Sequence, residues 1–590
     1  MRSKKVLRLT SLLLVFLLIL SLIACQPSKP AEEMTEPSGV ETVTTEEVEE
    51  TDDGQEEINW QRDAIAANGM VASAKPEVSE VGVEIMKKGG NAIDAAVAVA
   101  FALGVVEPNA SGLGGGGFML IRFAETGEVV FLDFREVAPM NAREDMYPID
   151  EDGKVIDDSK TVGGLAVAVP GEVAGLLAAH EKYGKLSREE VIQPAIDLAE
   201  NGFVVTRNFE GILTDNFEKI NRFEATKEIY LKDGLPYKEG DIIKNPDLAE
   251  TLRIIAIEGR DGFYKGPVAE DIVKSVQEAG GIMTLEDLAN YEVKFRQPVR
   301  GTYRGYEIIS APPSSSGGTH VIQLLNMLEN YDMAALGHNT VESLHIWSEA
   351  SKLMFADRAE YMADTDFVEV PLAGLASKEY AKELVQKIDL NKASEEVTFG
   401  DPYKYESGST THLSVMDKEG NIVAITKTIN YFFGSGVTVK GRGFVLNNEM
   451  DDFNARPGTS NSVQPGKRPL SSMTPTIVLK DGRPFMAVGS PGATRIITTV
   501  AQIISNVIDH GMDIQEAINA ARMYNMSGTL SLEGRIPEEV IKGLEELGHE
   551  VDVRADLDPY FGGAQCIMML ESGELHGGGD PRRDGQAVGF

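Results

Sequence analysis

Thr410 stands where a cut in the chain would turn an ordinary hairpin residue into a nucleophile. Thr410-Thr411-His412-Leu413-Ser414-Val415-Met416-Asp417 alternates polar and apolar side chains with period two, which predicts a strand with its hydroxyls outward and its apolar residues inward. A Lys418-Glu419-Gly420-Asn421 turn leads into a second strand, Ile422 to Asn430. Threonines in such hairpins are most often cross-strand packing partners. The segment before this one, Tyr405-Glu406-Ser407-Gly408-Ser409, is small, polar and loop-like. A break between Ser409 and Thr410 would leave a threonine with a free α-amino group at a strand's start, so that the residue carries its own base beside its hydroxyl.

Other polar groups could serve such a nucleophile. Arg135 ends the strand Val129–Phe134 and would offer a guanidinium fork, which suits a carboxylate. Asn447-Asn448-Glu449-Met450-Asp451-Asp452-Phe453 follows the apolar strand 444–446 and sets carboxylates beside amides, a combination that holds an ammonium group; taken alone it reads as a solvated turn. Ser471 and Ser472 supply paired hydroxyls. Gly489-Ser490-Pro491-Gly492-Ala493-Thr494-Arg495 runs from a strand into a helix, and the amides of Gly492 and Ala493 would point off its N-terminus as an anion site, which beside a nucleophile stabilises a tetrahedral oxyanion. Each piece alone is also a turn or a cap. Together they describe recognition of a zwitterionic amino acid with acyl transfer.

The elements that must position these groups follow from periodicity. A helix at 78–88 stops at Gly89-Gly90, and Asn91 caps an alanine-rich helix at 92–105 that is apolar all round and so buried. Gly114-Gly115-Gly116-Gly117 precedes a hairpin of 118–123 with Val129–Phe134. It lacks the Lys-Ser/Thr of a phosphate loop and opens a strand rather than a helix, so it reads as a tight, close-packed turn. From about 170 to 388 the chain is mostly helical, with a short strand at Tyr306–Ser310. After Thr410 come hairpins at 411–428 and 474–489, helices at 494–509 and 514–521, and a strand near Cys566. Strands interleaved with buried helices predict layered α/β packing.

Composition narrows the partners. The 590 residues carry a net charge of −37, which argues against nucleic acid. Arg2, Lys4 and Lys5 precede an apolar run at 12–23 and Leu22-Ile23-Ala24-Cys25, which resembles a bacterial lipobox; the alternative is a plain signal peptide or anchor that happens to contain a cysteine. Residues 1–25 thus read as a lipoprotein-type signal and 26–60 as an acidic disordered spacer, which places the mature protein outside the cytoplasm, lipid-anchored at the membrane. With Cys25 lipidated, Cys566 has no disulfide partner and reads as a buried apolar residue. The eight histidines show no metal-ligand spacing, so neither metal nor cofactor is expected.

From about Asn68 to Phe590 the chain resembles the γ-glutamyltransferase (γ-glutamyltranspeptidase) family of N-terminal-nucleophile hydrolases. The resemblance rests on Gly114–Phe118, Asp133-Phe134-Arg135-Glu136, Pro312-Pro313-Ser314-Ser315-Ser316-Gly317-Gly318, Thr410-Thr411-His412, Asn447–Phe453, Arg468–Met473 and Gly489–Gly492. It implies a four-layer αββα sandwich in which a large chain, 61–409, and a small chain, 410–590, are intertwined after self-cleavage at Ser409–Thr410. It further implies Thr410 as nucleophile and Thr428 as the hydroxyl that orients it. Arg135, Ser471 and Ser472 match the groups on the substrate α-carboxylate; Asn430, Glu449 and Asp452 match those around its α-amino group; Gly492 and Ala493 match the oxyanion amides. The implied substrates are glutathione and other γ-glutamyl compounds, with water, amino acids or peptides as acceptors.

Two departures qualify this. Ala493 stands where many members have a second glycine, and the stretch from 453 to 467 is short where some relatives carry a lid, which favours longer donors such as poly-γ-glutamate. A capsule-type transpeptidase and a glutaryl acylase are alternatives within the superfamily; the carboxylates Glu449 and Asp452 argue against the acylase, whose glutaryl group has no α-amino group. A lipid-anchored solute-binding protein fits the N-terminus but not Thr410.

Overall fold

Apolar residues alternate along the strands of two seven-stranded antiparallel sheets, and in each sheet both faces find cover. The computed structural model describes residues 61–151, 153–395, 397 and 410–590. The expected secretion signal, Cys25, the expected acidic spacer and Ser409 lie outside the described residues, which belong to one compact unit running from Ile58 to Phe590. The first sheet has the order Gln586–Gly589, Gly69–Ser73, Thr410–Asp417, Ile422–Thr428, Gly116–Arg122, Val129–Phe134, Lys294–Arg296. The second has the order Ala64–Ala66, Leu575–Gly579, Gln565–Met569, Arg483–Val488, Thr476–Lys480, Tyr306–Ser310, Val299–Tyr303.

One face of the first sheet sends Val71, Met119, Ile121, Leu132, Leu413, Val415 and Ile425 into a core shared with the helices Pro76–Lys87, Ala92–Val106 and Glu172–Tyr183. The intervening residues Met70, Phe118, Leu120, Phe131 and Met416 face the other way. They join Ile309, Ile477, Ala487 and Ile567 of the second sheet and the helices Gly317–Leu328, Val341–Tyr361 and Arg495–Ile508 in a second core. The result is helices, sheet, sheet, helices, an αββα sandwich.

This packing corrects the reading of the Thr410 hairpin as half-exposed, because every residue of Thr410–Asp417 and of Ile422–Thr428 is buried. The polar side chains are buried on both faces: Ser414 Oγ reaches the second sheet and donates to the Gln565 carbonyl at 3.0 Å, His412 Nδ1 lies 2.8 Å from Thr426 Oγ1 on the adjacent strand of its own sheet, and Asp417 turns to the helical side. Burial pushes His412 down to about 3, so its ring is neutral. The alanine-rich helix is buried almost throughout, and Asn91 with Asp94 forms a capping box at its start. Its first N–H, on Ala92, is taken by the Asp417 carboxylate at 3.0 Å, which ties the helix to the end of the Thr410 strand. Cys566 is buried in its strand, with its thiol pushed up to about 12 by burial. Among the described residues no helix is long and apolar enough to cross a membrane.

Candidate active site

Thr410 begins its strand directly opposite Thr428, and its hydroxyl donates to Thr428 Oγ1 at 3.3 Å. Thr428 Oγ1 also accepts the Asn430 N–H at 2.8 Å, because the chain turns back at Asn430 with φ of 70°. Asparagine is among the few side chains that take this left-handed geometry readily. The glycine run is part of the same construction. Gly116 and Gly117 lie inside the strand Gly116–Arg122, so the run is not the turn expected from sequence. A Cβ on Gly115 would lie 2.0 Å from the Thr428 carbonyl oxygen, and one on Gly117 would lie 2.4 Å from that of Thr426. These residues are glycine because another backbone presses on them.

Arg135 follows the strand Val129–Phe134 and is 1% exposed. It pairs with Glu449 and Asp452, lies 3.5 Å from Glu136, and donates through Nε and Nη2 to the carbonyls of Pro469 and Leu470, each at 3.3 Å. The turn at 447–452, a solvated turn on its own merits, is in fact a buried bracket. Asn447 accepts the N–H of Ala168 and of Glu449, each at 3.0 Å, and donates to the carbonyls of Gly114 at 2.7 Å and Ala168 at 2.9 Å. Burial pushes Glu449 up to about 8 in spite of Arg135, with Asp452 and Asp451 adding to the rise. Glu136 and Asp452 are raised for the same first reason. Burial would lower the Arg135 guanidinium, but Glu449, Asp452 and Glu136 more than reverse that. Asp452, with a fifth of its side chain exposed, is the member of this cluster that meets solvent.

Ser471 and Ser472 are held differently. The Ser471 hydroxyl accepts the Met473 N–H at 3.1 Å, and its backbone bridges to the segment 314–316. Ser472 Oγ accepts from Arg358 Nη2 at 2.9 Å, and Arg358 Nε donates to Ser316 Oγ at 2.9 Å. The helix beyond the second sheet starts at Arg495, and the carbonyls of Gly492 and Ala493 close its first turn. Among the described residues, neither the Gly492 nor the Ala493 N–H has a protein acceptor. Ala493 adopts φ of 51°, a conformation that disfavours a side chain.

A cleft of about 450 Å³, counted together with its open mouth, gathers these groups: Thr410, Thr428, Asn430, Arg135, Glu449, Asp452, Ser471, Ser472 and Ala493 all line it, while Gly492 precedes Ala493 in the chain and is not itself part of the lining. Arg358 and Tyr431 also line it and were not expected. A single arginine within the long helix Val341–Tyr361 carries no sequence signal of its own. A third unexpected contact is His412, whose ring packs on Gly489 so closely that a Cβ there would lie 2.2 Å away. Outside the pocket, His345, Glu349 and His549 come within 4.8 Å of one another, a grouping that sequence spacing did not suggest. They are already engaged, His345 Nδ1 with His549 Nε2 at 2.7 Å and Glu349 with Lys352 at 2.7 Å.

Comparison with known proteins agrees with this geometry. A sequence model of the family described as gamma-glutamyltranspeptidase matches residues 78–590. The glutathione hydrolase proenzyme of Escherichia coli (strain K12) is 45% identical over 532 residues, 88% of this chain and 91% of that protein. The acylase ACY 1 proenzyme of Pseudomonas sp. (strain SE83) is 42% identical over 533 residues, 89% of this chain and 94% of that one. Among solved structures, cephalosporin acylase from Bacillus halodurans superposes with a TM-score of 0.81 at 29% identity, covering 90% of this chain and 97% of that chain.

Proposed function

Because the chain belongs to the γ-glutamyltranspeptidase family, we propose that it is a self-processing γ-glutamyl acyltransferase and hydrolase that acts on glutathione and related γ-glutamyl compounds. In the precursor the Thr410 hydroxyl attacks the Ser409 carbonyl. The acyl group shifts from nitrogen to oxygen, and water hydrolyses the ester to give a chain ending at Ser409 and one beginning at Thr410. In the processed enzyme the freed α-amine accepts the Thr410 hydroxyl proton as Oγ1 attacks the γ-carbonyl. The tetrahedral oxyanion falls to the N–H groups of Gly492 and Ala493. The protonated amine then returns its proton to the leaving amine, which leaves a γ-glutamyl ester on Thr410. Water converts the ester to glutamate, and an amino acid or peptide converts it to a new γ-glutamyl amide. Thr428 receives the hydrogen bond of the Thr410 hydroxyl and orients it.

The choice of acyl group rests on one observation: Arg135 and the carboxylates of Glu449 and Asp452 pair with one another in the wall of the pocket that Thr410 lines. An α-amino acid carries adjacent opposite charges and exchanges into this pairing with its balance of charge unchanged. Its carboxylate goes to Arg135, Ser471 and Ser472, and its ammonium to Asn430, Glu449 and Asp452. A glutaryl group brings only the carboxylate and would leave Glu449, buried, and Asp452, part-exposed, without a cation in exchange for Arg135, a cost of several kcal/mol. This supports a γ-glutamyl donor even though relatives include proteins named for acylase activity.

The segment 453–467 favours a second substrate, poly-γ-glutamate, at the same site. It is a short loop tied down beside the pocket by Asn461 Nδ2 to the Asp452 carbonyl at 2.7 Å and by Lys467 Nζ to the Ser460 carbonyl at 2.7 Å. Secretion, with a lipid anchor at Cys25 outside the cytoplasm, completes the proposal on sequence grounds. Glutathione, a γ-glutamyl anilide, a glutaryl anilide and poly-γ-glutamate assayed side by side test it. Turnover of the first two is expected. Activity on the polymer alone overturns the glutathione reading, and preference for the glutaryl donor overturns the zwitterion site.

A further inference from the structure

On the flank of the nucleophile strand away from Thr428, a buried charge cluster takes the position of a neighbouring strand. Pairing of Thr410–Asp417 with Gly69–Ser73 reaches only Ser414↔Ala72. Beyond it, Arg583 Nη1 donates to the Thr410 carbonyl at 2.9 Å. Arg583 is 8% exposed and follows the strand Leu575–Gly579.

The charges around Arg583 are unequal. Asp580 is taken by Arg522 at 2.7 Å and by Arg582 at 3.1 Å. Asp584 is paired with Lys75 and accepts from Thr206 Oγ1 at 2.9 Å. Arg495, from the facing helix, adds a further positive charge and is directed by Nε to the Tyr560 carbonyl at 2.6 Å. The nearest carboxylate left to Arg583 is Glu107, 4.0 Å away at the end of the helix Ala92–Val106 and beside the Thr411 hydroxyl. Burial raises Glu107 and lowers Arg583, so neither charge is fully compensated by the other. With Glu533 on Arg582 at 2.6 Å, the cluster sets five cations, Arg583, Arg495, Arg522, Arg582 and Lys75, against four carboxylates, Glu107, Asp580, Asp584 and Glu533, and Arg583 is the cation that touches the backbone of Thr410.

We propose that Arg583, with Glu107 as its counter-charge, is a positioning residue for the nucleophile: it clamps the Thr410 carbonyl and keeps the α-amine freed by cleavage neutral, and so able to accept the hydroxyl proton, at lower pH than an ordinary chain terminus. The inference rests on Thr410 being an N-terminal nucleophile. A residue's carbonyl oxygen and nitrogen lie ~3 Å apart, which puts the guanidinium ~5 Å from the amine. A unit charge at that distance and an effective dielectric of ~20 lowers the amine by ~2 pH units, and Glu107 offsets part of this to leave ~1.

The test is kcat/KM for a γ-glutamyl anilide from about pH 5 to about 10 on processed wild type, Arg583→Gln, Arg583→Lys and Glu107→Gln, each with its light-chain N-terminus verified. Arg583→Gln is expected to move the acid limb up by ~1 pH unit with the alkaline plateau kept within ~3-fold. Arg583→Lys should leave the limb in place, and Glu107→Gln should move it down. Loss by one factor at every pH with an unmoved limb overturns the proposal. Should Arg583→Gln fail to process, Glu107→Gln decides alone: a lowered limb supports the proposal and an unmoved one overturns it. A wild-type light chain that does not begin at Thr410 would instead overturn the nucleophile assignment beneath it.

Discussion

Glu449→Gln separates the charge at position 449 from its shape, and its effects on stability and on activity should run in opposite directions. Glu449 is 1% exposed and its carboxyl is pushed up to about 8 from an ordinary 4.5, mainly by burial. The folded protein thus holds a proton that the unfolded chain releases near 4.5. The corresponding stability is fully present below that pH and is lost as pH rises through about 8. At about 1.4 kcal/mol per pH unit the ceiling is about 5 kcal/mol, and sharing of the proton with Glu136 and Asp452 keeps the observed change below it. Glutamine does not titrate, and Arg135 retains Asp452 and Glu136. The variant's urea midpoint should therefore gain on wild type between about pH 5 and about pH 9. Loss of one charge-assisted contact to the ammonium, worth about 1.5–3 kcal/mol, should lower kcat/KM for γ-glutamyl anilide ~10- to ~150-fold, while a glutaryl anilide, which no longer strands the charge of Glu449, should hold or gain. Equal losses on both donors, or a γ-glutamyl loss below ~3-fold, would refute the ammonium assignment.

Two further substitutions probe the frame around Thr410, the proposed nucleophile. Gly115→Ala puts a methyl 2.0 Å from the Thr428 carbonyl and should displace Thr428, cutting self-cleavage and turnover at least ~10-fold; gel analysis of processing checks this. Ala493→Gly removes a side chain from φ of 51° while keeping the N–H, so it should raise stability by about 1 kcal/mol in urea unfolding with kcat held within ~3-fold.

Local pattern carried much of this architecture, and the exceptions share one cause. The helix capped by Asn91, the Thr410 hairpin and its turn at Lys418-Glu419-Gly420-Asn421 are readable because capping and period two act within a few residues. The hairpin's second face was misread because its cover comes from elsewhere in the chain. Ser414 finds its acceptor 151 residues on, at Gln565. The bracket at Asn447 looked solvated for the same reason, since its partners at Gly114 and Ala168 lie 333 and 279 residues away. Arg358, Arg583 and the packing of His412 on Gly489 left no local trace at all. Their roles come from sheet-on-sheet and helix-on-sheet contacts that no short window contains.

The central claim is that Thr410 becomes a catalyst by cutting the chain in front of itself. Intact-mass and N-terminal analysis of the purified active protein tests this directly. The account predicts a light chain of ~20 kDa, at ~110 Da per residue, that begins at Thr410, and a Thr410→Ala variant that stays uncut and inactive. An active protein that remains a single chain, or whose light chain begins at any other residue, would contradict it.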